Sequence, residues 1–149
     1  MAQLTHTQYS GGLLAGVVSE SPLTKIDSYV AEGALSFGLG VQQGTADLQV
    51  ELAAAGGKLL GIAVRDHKYA NDQATDILDG QGVAVLTKGV ITGEITGTVA
   101  KNAVAYIEIT AGADQGKFTN LPDTAANLLC GKFLQGGVDG DIVLIEIEL

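Results

Sequence analysis

The stretch that decides the fold runs from Val83 to Thr96 and reads VAVLTKGVITGEIT. Two runs rich in β-branched residues, 83–87 and 90–96, flank the dipeptide Lys88-Gly89. β-branched residues favour strands, and a glycine between two such runs is typical of a tight reversal. The stretch therefore predicts a β-hairpin whose turn lies at Lys88-Gly89.

Short apolar runs separated by turn residues continue on both sides of this stretch. Residues 25–30 alternate between two faces with the period of a half-buried strand, and residues 59–64 form a continuous apolar run. The chain carries 21 glycines, several of them in pairs such as Gly56-Gly57, which favour tight turns. Further strands are predicted at 103–110, 127–133 and 142–149, and further turns at 11–12, 79–80, 111–112, 136–137 and 139–140.

The spacing of these runs predicts the fold class. Helical periodicity is not sustained anywhere, and only the surroundings of Ala53 and residues 123–128 are compatible with a single helical turn. Short strands at intervals of roughly 8–12 residues are typical of a sandwich, a jelly roll or a small barrel. We therefore predict an all-β domain of eight to ten strands. The apolar strand 142–149 is expected inside a sheet, because an open edge there would recruit other chains.

A chain of 149 residues is long enough for one domain with a real core and short for two. Residues 1–10 are polar with isolated apolar side chains, which predicts an N-terminal arm outside the core. The alternative is a first strand that pairs within the domain's own sheet. Residues 11–149 are predicted to form a single all-β domain. Within it, residues 66–80 are rich in Asp, Asn and Gln, which is typical of a long surface loop.

The charge of the chain excludes several classes of partner. Seventeen acidic residues against eight basic ones give a formal net charge of −9, and Arg65 is the only arginine. Binding to nucleic acid or to an anionic membrane surface requires clustered cations, so neither partner is expected. No secretory signal is visible at the start of the chain, which predicts that the protein is made in a cytoplasm.

The chemistry-bearing residues do not form a recognisable catalytic or metal-binding motif. His6, His67 and Cys130 are too few and too dispersed for a zinc site, and Cys130 lies in an apolar run as a small buried hydrophobe would. The aspartates of residues 66–80 miss the spacing of a calcium loop, so a solvated loop is favoured over a cation site. Ser36 lacks the glycine spacing of a nucleophile elbow. We expect no enzyme activity, no cofactor and no metal.

Several of these segments together resemble a known family. The run 59–64, and residues 82–86 followed by Gly89-Val90-Ile91, are similar to the central strands of the cement (head decoration) proteins of tailed bacteriophages. The stretch 99–106 and the two glycine-led strands at 116–119 and 131–134 are also similar to that family. The resemblance covers residues 10–149 and consists of strand and turn patterns, with no chemical signature.

The resemblance implies a compact jelly-roll, β-sandwich or tulip-like domain with a structural role in the virion. Such a protein, assembled in the host cytoplasm, binds the outer surface of the capsid and clamps neighbouring major capsid subunits against the pressure of packaged DNA. A homo-oligomer is expected, with a trimer favoured over a dimer, because shell subunits surround local rotation axes. The absence of a basic patch agrees with a location outside the shell, away from the genome.

The N-terminal arm supplies the predicted capsid contacts. Leu4, His6 and Tyr9 lie among Thr and Gln, which is enough apolar surface to anchor the arm and too little for it to fold alone. The alternative function is a non-catalytic β-sandwich that binds carbohydrate or a host surface. Such modules stack exposed aromatic rings on sugars, whereas this chain has no Trp and is only 5% aromatic.

Overall fold

The computed structural model describes residues 14–19, 23–65, 76–122 and 127–149. Within these ranges every regular element is a β-strand, so the predicted all-β class is confirmed. Eight of the strands have four or more residues, and the other four have two residues each. In chain order the strands are β1 (Val18–Ser19), β2 (Lys25–Ala31), β3 (Leu35–Ser36), β4 (Gly40–Gln43), β5 (Gln49–Leu52), β6 (Leu59–Val64), β7 (Asp76–Ile77), β8 (Gly82–Glu94), β9 (Val104–Ile107), β10 (Phe118–Thr119), β11 (Leu128–Phe133) and β12 (Ile142–Glu148).

Five strands close into a ring, which we call the first ring. The order around it is β8-β2-β5-β4-β6, and β6 returns to pair with β8. All of these pairs are antiparallel except β2 with β5, which run parallel at Val30 and Gln49. Closure leaves no open edge in this part of the sheet, which removes the usual site of edge-to-edge association.

A second set of strands, the second ring, shares β8 with the first. Its order is β10-β9-β11-β12-β8. β10 returns to the end of β8, where Phe118 forms a parallel bridge with Ile95. The Thr96 N–H donates to the Phe118 carbonyl oxygen at 2.8 Å. The strand 142–149 was predicted to lie inside a sheet, and β12 does pair on both sides, with β11 and with β8.

The predicted hairpin at Lys88-Gly89 is wrong, because β8 runs without reversal through all 13 residues from Gly82 to Glu94. Lys25 of β2 pairs with Lys88, whereas the next residue, Ile26, pairs with Leu86. One residue of β8, Thr87, is therefore extra, which is a β-bulge. The bulge bends the strand where the sequence indicated a turn, and Gly89 beside it has a φ of +138°.

The bulge also changes which side chains of β8 face inward. Val83 and Val85 belong to one buried cluster, and Leu86 belongs to another. Ile91, an odd-numbered residue, lies in the same cluster as the even-numbered Leu86. An uninterrupted strand would place these two residues on opposite faces. The extra residue corrects the parity, so that Leu86 and Ile91 face the same cluster from either side of the bulge.

The two buried clusters are the first core and the second core. β6 and the first half of β8 form a wall between them, because neighbouring residues such as Ile62 and Ala63 face different cores. A strand buried on both faces reads as a continuous apolar run, as residues 59–64 do. The first core contains Ala31, Leu35, Phe37, Val41, Val50, Ala63, Ile77, Val83 and Val85. The second contains Ala53, Leu59, Ile62, Leu86, Ile91, Ile95, Val99, Ala105, Ile107, Phe118, Cys130, Phe133, Val143, Ile145 and Ile147.

Residues 14–19 connect the second half of β8 to the end of β6. The Gly16 N–H donates to the Thr92 carbonyl oxygen at 2.7 Å, and the Gly16 carbonyl accepts from the Arg65 N–H at 2.8 Å. Gly16 has a φ of +83°, and a Cβ there would lie 2.8 Å from the Gly38 backbone nitrogen. This segment is therefore an integral part of the folded domain.

Three local expectations have different outcomes. Ala53 lies in the connection between β5 and β6 and Leu128 begins β11, so neither is helical; residues 123–126 lie outside the described residues. The predicted loop 66–80 is wrong at its end, because Asp76–Ile77 pairs with β3 and Ile77 is buried. The segment is mostly polar, yet Ile77 belongs to the first core. Residues 66–75 are not described.

Candidate interaction surfaces

The outer face of β9, β11 and β12 exposes large apolar side chains. Leu129 on β11 is 60% exposed and Val104 on β9 is 48% exposed. Leu129 lies directly opposite Tyr106, which is half-buried on the same face. We call this surface the neutral sheet face; it comprises Lys88, Val104, Tyr106, Leu129, Lys132, Glu146 and Glu148.

A second bulge places Leu129 on this face. Leu129 pairs with Tyr106 and Gly131 pairs with Ala105, so Cys130 is the extra residue. The bulge turns Cys130 and Phe133 inward, where both are fully buried. Gly131 comes so close to β12 that a Cβ would lie 1.8 Å from the Glu146 carbonyl oxygen. Leu129 is exposed as a consequence, although its apolar neighbours suggest a core residue.

The charges of the neutral sheet face balance one another. Lys132 and Glu146 form an ion pair at 3.5 Å across β11 and β12, with both side chains about half exposed. Lys88 of β8 lies directly opposite Glu148 of β12. Two lysines therefore match two glutamates. Leu129, Lys132 and the two glutamates also line a groove of about 310 Å³.

One end of the first ring has the opposite character, and we call it the acidic end. It carries Glu32, Asp47 and Asp79, together with Leu48 (67% exposed) and Leu78 (58% exposed). The Gly33 N–H donates to the Asp79 carboxylate at 2.9 Å, which brings two of its loops together. Among the described residues none of the three carboxylates has a lysine or arginine partner.

Glu32 organises the loop at this end. Its carboxylate accepts from the Thr45 hydroxyl at 2.7 Å and from the Thr45 backbone N–H at 2.6 Å. The bonds from the hydroxyl and then the backbone of Thr45 lower the pKa of Glu32, because they favour the ionised carboxylate. The neighbouring Asp79 acts in the opposite direction.

Two basic side chains, Arg65 and Lys117, line a groove of about 370 Å³ between the two rings. Arg65 lies over the ring of Phe37 at 4.9 Å, its Nε donates to the Ala15 carbonyl at 2.9 Å, and burial lowers its pKa. Lys117 pairs with Glu94 at 3.0 Å and with Asp114 at 3.2 Å. Burial acts to lower the pKa of Lys117, but these two contacts outweigh it and raise the pKa.

The remaining candidate residues show no convergence on a reactive centre. Cys130 is fully buried, its Sγ lies 3.3 Å from the Ala105 carbonyl oxygen, and burial raises the pKa of its thiol. Ser36 lies in β3. Within the described residues there is no cluster of three potential metal ligands, and no helix long and apolar enough to cross a membrane. The predicted contact residues Leu4, His6 and Tyr9, and also His67, lie outside the described residues.

None of these surfaces is evident from the sequence. Leu129 was read as part of an apolar strand, and no local signal separates it from Leu128 or Cys130. Leu48 follows Asp47 in a connection where an exposed apolar residue carries no pattern. The charge balance of β11 and β12 depends on the pairing of Lys132 with Glu146 across the two strands, which the sequence does not specify.

The sequence matches one protein family almost from end to end. Residues 3–148 match the phage cement family, described as structural cement protein (E217 gp24/Pam3 gp6). The chain therefore belongs to the structural cement proteins of phages, and its role is structural and associated with the capsid. No curated protein sequence matches the chain.

Solved structures share the fold. A chain from the capsid of Myoviridae phage XM1 is similar with a TM-score of 0.67 and 18% identity, covering 91% of this chain and 90% of that one. The head fiber gp8.5 N base in bacteriophage phi29 is similar with a TM-score of 0.55 and 14% identity, covering 85% of this chain and 95% of that one. At these identities the likeness shows a common fold.

Proposed function

We propose that this protein binds the outer surface of a phage capsid and clamps neighbouring major capsid subunits, stabilising the head against the pressure of packaged DNA. The match to the cement family over residues 3–148 is the observation that carries the proposal. The excess of 17 acidic over 8 basic residues supports a location away from the genome, because a DNA contact needs clustered cations. We place its assembly in the host cytoplasm and propose that it has no catalytic role.

The physical basis of clamping is multivalency. A protein that touches several shell subunits holds them together until several contacts are lost at once. Contacts of about 800 Å² per partner, repeated around the shell, resist separation even when each contact is weak. A homo-oligomer on a local rotation axis, most simply a trimer and otherwise a dimer, multiplies the contacts further.

The N-terminal arm, residues 1–10, is proposed to make part of the shell contact through Leu4, His6 and Tyr9, with residues 11–149 as the domain. Residues 14–19 support this role, because Gly16 is hydrogen-bonded both to Thr92 and to Arg65. A force on the arm would therefore be transmitted to both rings through residues 14–19. Ordering the arm on docking costs roughly 1–2 kcal/mol per residue, which its contacts must exceed.

Purified phage heads that lack the protein provide the test of this function. We expect the added protein to co-sediment with the heads, to saturate, and to delay DNA release on heating. Heads that bind no protein, or that release DNA at the same temperature with and without it, would contradict the proposal. Binding to host cells in place of heads would support the alternative attachment module.

A truncation tests the arm separately. Deleting residues 2–9 should weaken head binding strongly, because the proposed contact residues are lost. The melting temperature should stay unchanged, because residues 14–19 keep their contacts with the domain. A matched control replaces only Leu4, His6 and Tyr9 by Ser at constant length. A fall of many degrees in melting temperature would show instead that the segment belongs to the folded domain.

A further inference from the structure

We infer that the neutral sheet face is the surface through which copies of this chain contact one another. The inference deepens the proposed function, since it rests on the proposal that the protein acts as a homo-oligomer. Three properties of the face carry it: balanced charge, exposed apolar side chains, and a groove that holds both signs of charge.

Balanced charge matters because the chain as a whole is strongly acidic. With a net charge of −9, two copies repel each other over most of their surface. On the neutral sheet face Lys132 and Lys88 offset Glu146 and Glu148, so repulsion is locally removed. The acidic end is the contrasting case, because three carboxylates there would face three more in a second copy.

The apolar part of the face supplies the attraction. Leu129 and Val104 are 60% and 48% exposed on adjacent strands, and Tyr106 lies directly opposite Leu129. A central apolar patch with charged residues around it is the usual composition of a protein interface. Leu129 is exposed by the bulge at Cys130, and such bulges commonly re-aim a side chain.

A second copy of this chain fits the groove of the neutral sheet face, because it presents the same apolar, positive and negative groups. The groove is lined by Leu129, Lys132 and Glu148, so it offers an apolar wall, a cation and an anion. A lysine of one copy can therefore face a glutamate of the next, whether the copies are related by a two-fold or a three-fold axis. A surface with only one sign of charge does not have this self-complementarity.

Light scattering of the full chain in solution tests the inference with two matched leucine variants. Leu129→Asp should raise the dissociation constant between copies at least about tenfold, because it places a charge in the apolar centre of the contact. Leu48→Asp changes a leucine of similar exposure at the acidic end and should leave the dissociation constant unchanged. Unchanged circular dichroism and melting temperature show that each variant is folded.

A charge swap provides the second line of the test. Lys132→Glu alone should weaken association at low salt, and adding Glu146→Lys should restore it, because the face becomes neutral again. A native chain that is monomeric at every soluble concentration would overturn the inference. So would association that depends on Leu48 and not on Leu129.

Head binding is measured separately, so the two proposals fail differently. If heads bind the protein as a monomer, only the proposed contact between copies is overturned. If the protein is an oligomer that does not bind heads, only the proposed capsid function is overturned.

Discussion

The first core and the second core are lined by different side chains, although β8 borders both. Six of the nine residues of the first core are Ala or Val. The second core contains six Ile and two Phe, Phe118 and Phe133. The second core also has 15 buried residues against nine in the first. Because apolar burial stabilises roughly in proportion to the area removed from water, the second core carries most of the apolar burial.

The largest expected effect comes from emptying the second core. Phe118 is fully buried, so Phe118→Ala should lower the free energy of unfolding by about 3–5 kcal/mol. Val85→Ala removes less volume from the first core and should cost about 2 kcal/mol. Urea denaturation of both variants measures the difference. A larger loss of stability for Val85→Ala than for Phe118→Ala would contradict the larger contribution of the second core.

The next largest effect tests the wall between the cores. A Cβ on Gly61 would lie 2.4 Å from the Leu86 carbonyl oxygen, so Gly61→Ala should destabilise by about 1–3 kcal/mol. Gly82 on β8 has open space around it, and Gly82→Ala is the matched control, with no loss expected. Equal stability of the two variants would contradict close contact between β6 and β8.

A third change separates residues 14–19 from β8. The Thr92 hydroxyl donates to the Leu14 carbonyl at 2.6 Å and accepts from the Val17 N–H at 2.9 Å. Thr92→Val keeps the shape but removes both bonds, which should cost about 1–3 kcal/mol and speed hydrogen exchange at 14–17. Thr92→Ser retains the hydroxyl and should retain protection. Unchanged exchange in Thr92→Val would show that the segment is held by other contacts.

The smallest effects concern the pH dependence of stability. Its direction is opposite for Glu32 of the acidic end and for Lys117 of the groove between the rings. The pKa of Glu32 is lowered below its ordinary 4.5 by the bonds from Thr45, so its contribution to stability is present above pH 4.5 and is lost as pH falls through the folded value. Glu32→Gln should therefore differ from the native chain at neutral pH and converge with it in acid. Urea midpoints measured across this range test the convergence.

Lys117 behaves in the opposite way. Its pKa is raised above 10.5 because the contacts with Glu94 and Asp114 outweigh burial, so its contribution is complete below pH 10.5 and is lost as pH rises through the folded value. Lys117→Gln should remove that alkaline loss of stability. An equal fall in stability of both proteins as the pH rises above 10.5 would rule out the pairing of Lys117 with Glu94 and Asp114.

The sequence predicted the strands whose signal is local and missed what depends on distant partners. The strands at 59–64 and 142–149 were predicted correctly, because a buried strand imposes an apolar pattern on its own residues. The bulge at Thr87 could not be predicted in this way. It exists because Lys25 and Ile26, some 60 residues away, pair with Lys88 and Leu86. Lys88-Gly89 carries the same local signal whether the chain bends or reverses.

The interaction surfaces were less predictable for the same reason. Whether Leu129 or its neighbour Cys130 is buried is decided by the register of β11 against β9, which no local pattern specifies. The two-residue strands β3 and β7 are likewise defined only by their pairing. The family, by contrast, could be identified, because its pattern of strands and glycines is spread over most of the chain.

A cryo-electron microscopy reconstruction of heads saturated with this protein tests the proposed function most directly. We expect density for the domain on the outer surface, touching at least two major capsid subunits beside a local rotation axis. We further expect β9, β11 and β12 of one copy to face a second copy. Density on the inner surface, or on a single shell subunit with no neighbour in contact, would overturn the proposed clamping.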